Sequence, residues 1–87
     1  MHLKIHTAAL PDEEVTISSS AAELVRMGFN PSKMPKVDRL KALAAAFVSE
    51  CEVIRDARGA GGREAAIAIT EMQGASMFAV AAATADL

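Results

Sequence analysis

The 87-residue sequence predicts a mainly α fold: an antiparallel two-helix hairpin preceded by a short helix and an extended or small β N-terminal arm, assembled into a homo-oligomer. Two observations predict the hairpin. Residues 37–54 repeat apolar or small side chains every three or four positions, and residues 63–85 carry two such stripes beyond a Gly-rich turn. A third observation, size, predicts the assembly. Domains usually run to about 100–200 residues, so a two-domain enzyme is excluded. A chain this short buries only about 60% of the surface its unfolded form exposes, and below about 70–80 residues a lone core rarely supplies more than about 3–5 kcal/mol. One Cys forms no internal disulfide, and one Cys with two His makes no convincing zinc set, which leaves association as the stabilising device. Composition agrees: 52% of residues are hydrophobic but only 3% aromatic, because alanine makes up about a fifth of the chain. Alanine is the best helix former and lets helices approach closely.

Taken in order, Leu3 and Ile5 alternate with Lys4 and His6, and Val15 and Ile17 flank Thr16, which is the period of a strand. Pro11 and the acids after it lie between the two runs, so a hairpin or extended arm is expected. His2 and His6 would share one strand face with no third ligand to complete a metal site. Ser20 with Glu23 matches a capping box and predicts a short helix through Met27, closed by Gly28 in the left-handed conformation. Two prolines make Phe29–Pro35 a loop. From Lys36, the positions Val37, Leu40, Ala44, Phe47, Cys51 and Ile54 form a heptad-like seam that ends near Asp56–Arg58. Cys51, inside that seam, reads as an inert buried thiol. Gly59-Ala60-Gly61-Gly62 turns the chain, and a second long helix runs from Arg63 to about Ala85. On it, Ile67, Thr70, Gly74, Met77 and Ala81 form one stripe, and Ile69, Met72, Ser76, Ala79 and Ala83 another. The first long helix can cover only one of these, so the other asks for a second subunit.

A net charge of −2 argues against coating DNA or RNA, which needs a broad basic surface. The charge is uneven, however. Residues 1–25 and 42–87 each sum to −3, whereas Arg26, Lys33, Lys36, Arg39 and Lys41 face only Asp38 and give +4 between them. The bland reading is a solvated helix entrance; the sharper one is a small polyanion site. An acidic loop stands where a secretory signal would need an apolar segment, so the expected location is the cytoplasm. Residues 65–85 form the most membrane-like stretch. Their charge-free part begins only at Met72 and is too short for the roughly 20 apolar residues of a span, so the segment is expected to be buried in protein, with no membrane partner.

Catalytic chemistry finds little support. The Gly-rich turn lacks the Lys-Ser/Thr of a phosphate loop and follows a helix, not a strand. Glu50 and Glu52 cannot share a helix face, and neither His has a recognisable Ser or Cys partner. No enzyme, cofactor or metal is expected. Individual residues remain of interest. Arg63 falls in the first turn of a helix, where free N–H groups favour anions, although pairing with Glu64 or solvent is equally ordinary. Lys41 follows the seam residue Leu40 at the helix entrance, where exposure is the usual fate of a lysine. Phe29 on its Pro-flanked loop is placed to stack on a base or to plug the core, and Met77 reads as a core residue before a ligand contact.

At the two long helices the sequence resembles the phage anti-CBASS type-two proteins and their relatives that share the hairpin domain of Thoeris anti-defence type one. Phe29-Asn30-Pro31-Ser32 followed by Val37-Asp38-Arg39-Leu40-Lys41 is similar to that family's first-helix entrance. The run from Arg63 through Thr70, Glu71 and Met72 to Met77 is similar to its Arg-initiated second helix. The resemblance covers residues 29–85 and divides the chain into an arm with a short helix, 1–28, and a helical-hairpin nucleotide-binding domain, 29–87. It implies homo-oligomers, often hexamers, that sequester cyclic oligonucleotide immune signals in the bacterial host cytoplasm without degrading them. Cyclic dinucleotides would lie between paired protomers, at Phe29, Asn30, Lys41 and Met77. Cyclic trinucleotides would lie in separate pockets, at Arg63 and Thr70; cyclic ADP-ribose isomers are a further ligand class. The chain departs from the pattern before residue 28, and no Tyr is present to act as the stacking aromatic. The alternatives are a helical-hairpin oligomerisation or protein-interaction module with no nucleotide ligand, and a small phosphodiesterase acting on the same signals.

Overall fold

A computed structural model describes residues 1–87 and orders the chain as β1 (His2–Ile5), β2 (Glu13–Thr16), α1 (Ser19–Leu24), α2 (Pro35–Asp56) and α3 (Gly62–Ala83). The protein is mainly helical, with a long helix pair and a short two-stranded sheet, as the sequence predicts. The N-terminal arm is a true hairpin: β1 and β2 are antiparallel, with Leu3 opposite Val15 and Lys4 opposite Glu14. Thr7 closes its turn, donating from Oγ1 to Glu13 Oε2 at 2.7 Å. β1 ends at Ile5, so His6 lies beyond the strand and the expected His2/His6 pairing on one strand face does not form. His2 instead meets Thr16 Oγ1 at 3.1 Å and Glu14 at 3.9 Å.

The start of α1 differs from the expected capping box. Ser18, not Ser20, is the N-cap, and its Oγ accepts from the Ala21 N–H at 3.1 Å. Three serines in a row could each cap this helix, and tertiary partners select among them. Ser18 N–H donates to Ser49 Oγ, while the Ser18 and Ser20 hydroxyls donate to the two oxygens of Glu52 at 2.5 and 2.6 Å. Ser18→Ala removes the cap and one carboxylate contact together. We expect a loss of about 1–2 kcal/mol, read as a lower denaturant midpoint with an unchanged slope.

The end of α1 also differs. The helix stops at Leu24 and is closed by the N–H groups of Met27 and Arg26, which donate to the carbonyls of Ala22 and Glu23. This is the paired closure in which the left-handed residue follows the cap, and that residue is Arg26, at φ 58°. Gly28, at φ 87°, serves instead as the third residue of a tight turn that Phe29 N–H closes onto Arg26 C=O. The same displacement occurs after α2, where Arg58, not a glycine of the following run, is left-handed. Gly61 has another use: a Cβ there would lie 3.3 Å from Ile54 Cγ2, so its missing side chain lets the two long helices turn closely.

α2 is the central element and touches all four others. The main core lies between α2 and the N-terminal layer, where Val15, Ile17, Ala21 and Val25 meet Ala44, Ala45, Ala46 and Val48. This corrects the expected seam. Val37, Ala44 and Cys51 are buried as predicted, but Leu40 is only half-buried, Phe47 is 46% exposed and Ile54 50% exposed. The most buried stripe is Lys41, Ala45 and Val48, one step round the helix, because β2 and α1 cover that face.

α3 covers the remaining side of α2 with its second stripe, in which Ile69, Met72, Ala79 and Ala83 are half-buried and Ser76 buried. The first stripe stays open: Ile67 and Met77 are 44% and 67% exposed, and neighbouring Phe78 is 80% exposed. Residues 65–85 are therefore not buried within the chain; only Ala65 and Ser76 of α3 are. By length and composition α3 is long and apolar enough to cross a membrane, though Arg63, Glu64 and Glu71 occupy its first half.

Candidate ligand-binding site

Lys41 organises the site. Its place two turns into α2 aims the stem under the α1–α2 loop, where the residue is only 7% exposed, contrary to the usual fate of a lysine. The ammonium donates to Arg26 C=O at 3.0 Å and also to Phe29 C=O. It lies 5.4 Å from the centroid of the Phe29 ring, within range of a cation–π attraction. A lysine ammonium has three N–H donors, so one remains without a hydrogen-bond partner in the chain. Above it, Phe29 is 61% exposed and does not plug the core.

Asn30 is tied into the same loop. Its Nδ2 donates to Met34 C=O at 2.9 Å and to Asp38 Oδ1 at 3.0 Å, and its Oδ1 accepts from Ser32 Oγ at 2.6 Å. The loop thus enters α2 with a fixed shape, set by one amide and one ammonium. Asn30 retains acceptor capacity on Oδ1 but has no idle amide proton.

Three depressions border Lys41; besides one of about 440 Å³ beside Met27, Asp38 and Arg39, two bear on the predicted residues. The first, about 470 Å³, is bounded by the loop residues Phe29–Ser32 and by Val37, Val80, Thr84 and Leu87. The second, about 370 Å³, lies towards α1 and is bounded by Leu24, Val25, Arg26, Gln73, Ser76, Met77 and Val80. Both fall in the size range of small-molecule pockets, about 300–1,000 Å³. The predicted dinucleotide residues are therefore brought together about one lysine but not into one hollow: Phe29 and Asn30 stand on its loop side, Met77 on its α1 side. Met77 is exposed at the rim and is not a core residue.

The second predicted pair also converges. Arg63 and Thr70, two turns apart, line a shallow depression with Ala66, Ile67 and Glu71. Arg63 is 80% exposed on its side chain, and Nη1 lies 3.9 Å from Glu64 Oε1. Thr70 Oγ1 donates back to Ala66 C=O at 3.3 Å. Along the helix axis, at 1.5 Å per residue, Thr70 lies about 10 Å and Arg63 about 21 Å from Met77, and this depression shares no lining residue with those about Lys41, so the sites are separate.

The family model for Acb2/Tad1, hairpin domain, matches residues 20–84, from α1 to the end of α3. The chain belongs to this family. The resemblance carried by the helix entrance and the Arg-initiated helix is thereby borne out, and the hairpin that the family shares corresponds here to α2 and α3. Neither a curated protein nor a solved structure matches the chain.

Within this Acb2/Tad1 hairpin, the residues that sequence reasoning missed are Gln73, Val80, Thr84 and Leu87 on the α3 side. A signal for them was present. Folding an antiparallel hairpin about Gly59 sets position 77 opposite position 41, so residues 73–84 must face the first turns of α2. Periodicity within α3 alone carries no such information.

Proposed function

We propose that this chain binds and sequesters cyclic oligonucleotide immune signals without cleaving them, in the cytoplasm of an infected bacterium, and so blunts CBASS or Thoeris defence. The observation that carries the reading is Lys41: a buried ammonium, held under an exposed Phe29 ring, between two nucleotide-sized hollows in a member of the Acb2/Tad1 hairpin family. A cyclic dinucleotide offers two phosphates and two flat bases, which suit one cation and one ring taken twice from a two-fold pair of subunits. The local excess of positive charge at residues 26–41 attracts a compact anion, whereas the acidic remainder repels a long nucleic acid. Arg63 and Thr70 provide the separate site for a cyclic trinucleotide.

The subunit is the unit of a homo-oligomer, for which the resemblance implies a form that is often a hexamer. The open stripe of α3, with Ile67, Gly74 and Met77, supports this. Gly74 has nothing within 4 Å of where a Cβ would stand, and a mid-helix glycine costs about 0.5–1 kcal/mol relative to alanine. Close approach by a second α3 gives that glycine a use. A protein neighbour also suits Glu71 better than a bilayer, where a charged side chain is costly.

The test is capture and release. Purified protein is incubated with cyclic dinucleotides, cyclic trinucleotides and cyclic ADP-ribose isomers, washed, heat-denatured, and its supernatant analysed by mass. Intact ligand freed only on denaturation is the expected result. Cleaved ligand would mean a phosphodiesterase, and no retained ligand a hairpin assembly module. In the same assay Arg63→Ala is expected to weaken cyclic trinucleotide retention at least ten-fold, about 1.4 kcal/mol, while leaving cyclic dinucleotide retention unchanged.

A further inference from the structure

We propose that Arg26 is a further ligand-binding residue, gripping a phosphodiester in the α1-side hollow while Lys41 holds the loop from beneath. The inference rests on the sequestration reading above and adds a residue to that site. Lys41 alone is a poor clamp, because two of its three N–H donors are committed to the carbonyls of Arg26 and Phe29. A phosphodiester presents two anionic oxygens, best matched by the planar fork of an arginine. Arg26 is the only other cation bordering that hollow. Its guanidinium takes part in none of the chain's three ion pairs, which join His2 to Glu14, Arg55 to Asp56 and Arg63 to Glu64.

The backbone makes this placement firm. Arg26 C=O accepts from both Lys41 Nζ and Phe29 N–H, so the residue that carries the fork is anchored by the residue it would work beside. The rest of the hollow complements a nucleotide. Leu24, Val25 and Val80 are apolar walls for a base, and the Gln73 side-chain amide makes no hydrogen bond within the chain. Of the other cations of the basic segment, Lys33 and Lys36 border none of the three hollows about Lys41, and Arg39 borders only the one beside Met27, where Asp38 stands next to it as a counter-charge.

Because Arg26 sits in the left-handed conformation, glycine is the least strained residue there, and this separates a binding role from a structural one. We would measure retention of a 3′,5′-linked cyclic dinucleotide panel, its salt dependence, and thermal midpoints for the parent, Arg26→Gly and Arg26→Lys. The expected result is that Arg26→Gly melts at or above the parent's midpoint yet binds at least ten-fold more weakly with a shallower salt dependence, and that Arg26→Lys recovers part of the affinity. A parent that binds, with Arg26→Gly binding equally well, overturns this inference and leaves the sequestration reading intact. A parent that retains no cyclic nucleotide overturns both.

Discussion

Lys41→Met is expected to abolish cyclic dinucleotide retention and also to lower the thermal midpoint by about 10–20 °C, which corresponds to about 2–3 kcal/mol in a chain of this size. The methionine keeps the stem that fills the space beneath the loop and removes only the ammonium. Two backbone carbonyls, of Arg26 and Phe29, then lose a charged donor, and the Phe29 ring loses the cation 5.4 Å from its centroid. Hydrogen bonds to charged groups contribute about 1.5–3 kcal/mol each, but the loop retains the Asn30 amide bonds and the Phe29 N–H bond to Arg26, so the whole of that sum is not lost. Thermal melting and ligand retention measured on one preparation check the coupling. A variant that loses binding with an unchanged midpoint would show that Lys41 touches ligand without ordering the loop.

Phe47→Asp is expected to dissociate the proposed homo-oligomer, lowering the sedimentation mass from a multiple of 9.1 kDa to that value, with far-ultraviolet circular dichroism that still reads as helical. Phe47 borders an apolar groove between α2 and α3 with Leu40, Leu43, Met72, Ala75 and Ala79. Leu43 and Phe47 are 56% and 46% exposed in the isolated chain, and a pair of large apolar side chains at this spacing is what a subunit contact buries. Full burial of such a side chain contributes about 1.5–3 kcal/mol, and a symmetric interface repeats the gain on each subunit. The intrachain core keeps Ala45 and Val48 away from this groove, and only Ala44 and the partly buried Met72 border both. A variant that sediments as the parent does would place the subunit contact elsewhere, with the open stripe around Gly74 as the next surface to test.

The two variants divide the hairpin's labour between a loop held from below and a face left open, and the sequence carried these halves unequally. The helix pair was legible because the spacing of side chains along one helix is set by the helix itself. The turn at Gly59–Gly62, the loop between the two prolines and the presence on α3 of two stripes, one more than α2 can cover, were legible for the same local reason. The segments Phe29–Ser32, Val37–Ala44 and Arg63–Met77, in that order, carried the resemblance to the family whose model matches residues 20–84.

Tertiary structure decided what local spacing leaves degenerate. α2 is apolar or small on adjoining faces, so its own period could not tell that β2 and α1 would bury Ala45 and Val48 and leave Phe47 and Ile54 outside. Three successive serines could all cap α1, until Ser49 and Glu52, more than 30 residues away, selected Ser18. The same holds for Lys41. A lysine at a helix entrance is ordinarily solvated, and only the return of the α1–α2 loop over its tip supplies the two carbonyls that make burial of a charge affordable. Periodicity is a property of neighbours along the chain. Which face is covered, which cap is chosen and which charge is buried depend on partners that the chain brings together only when it folds.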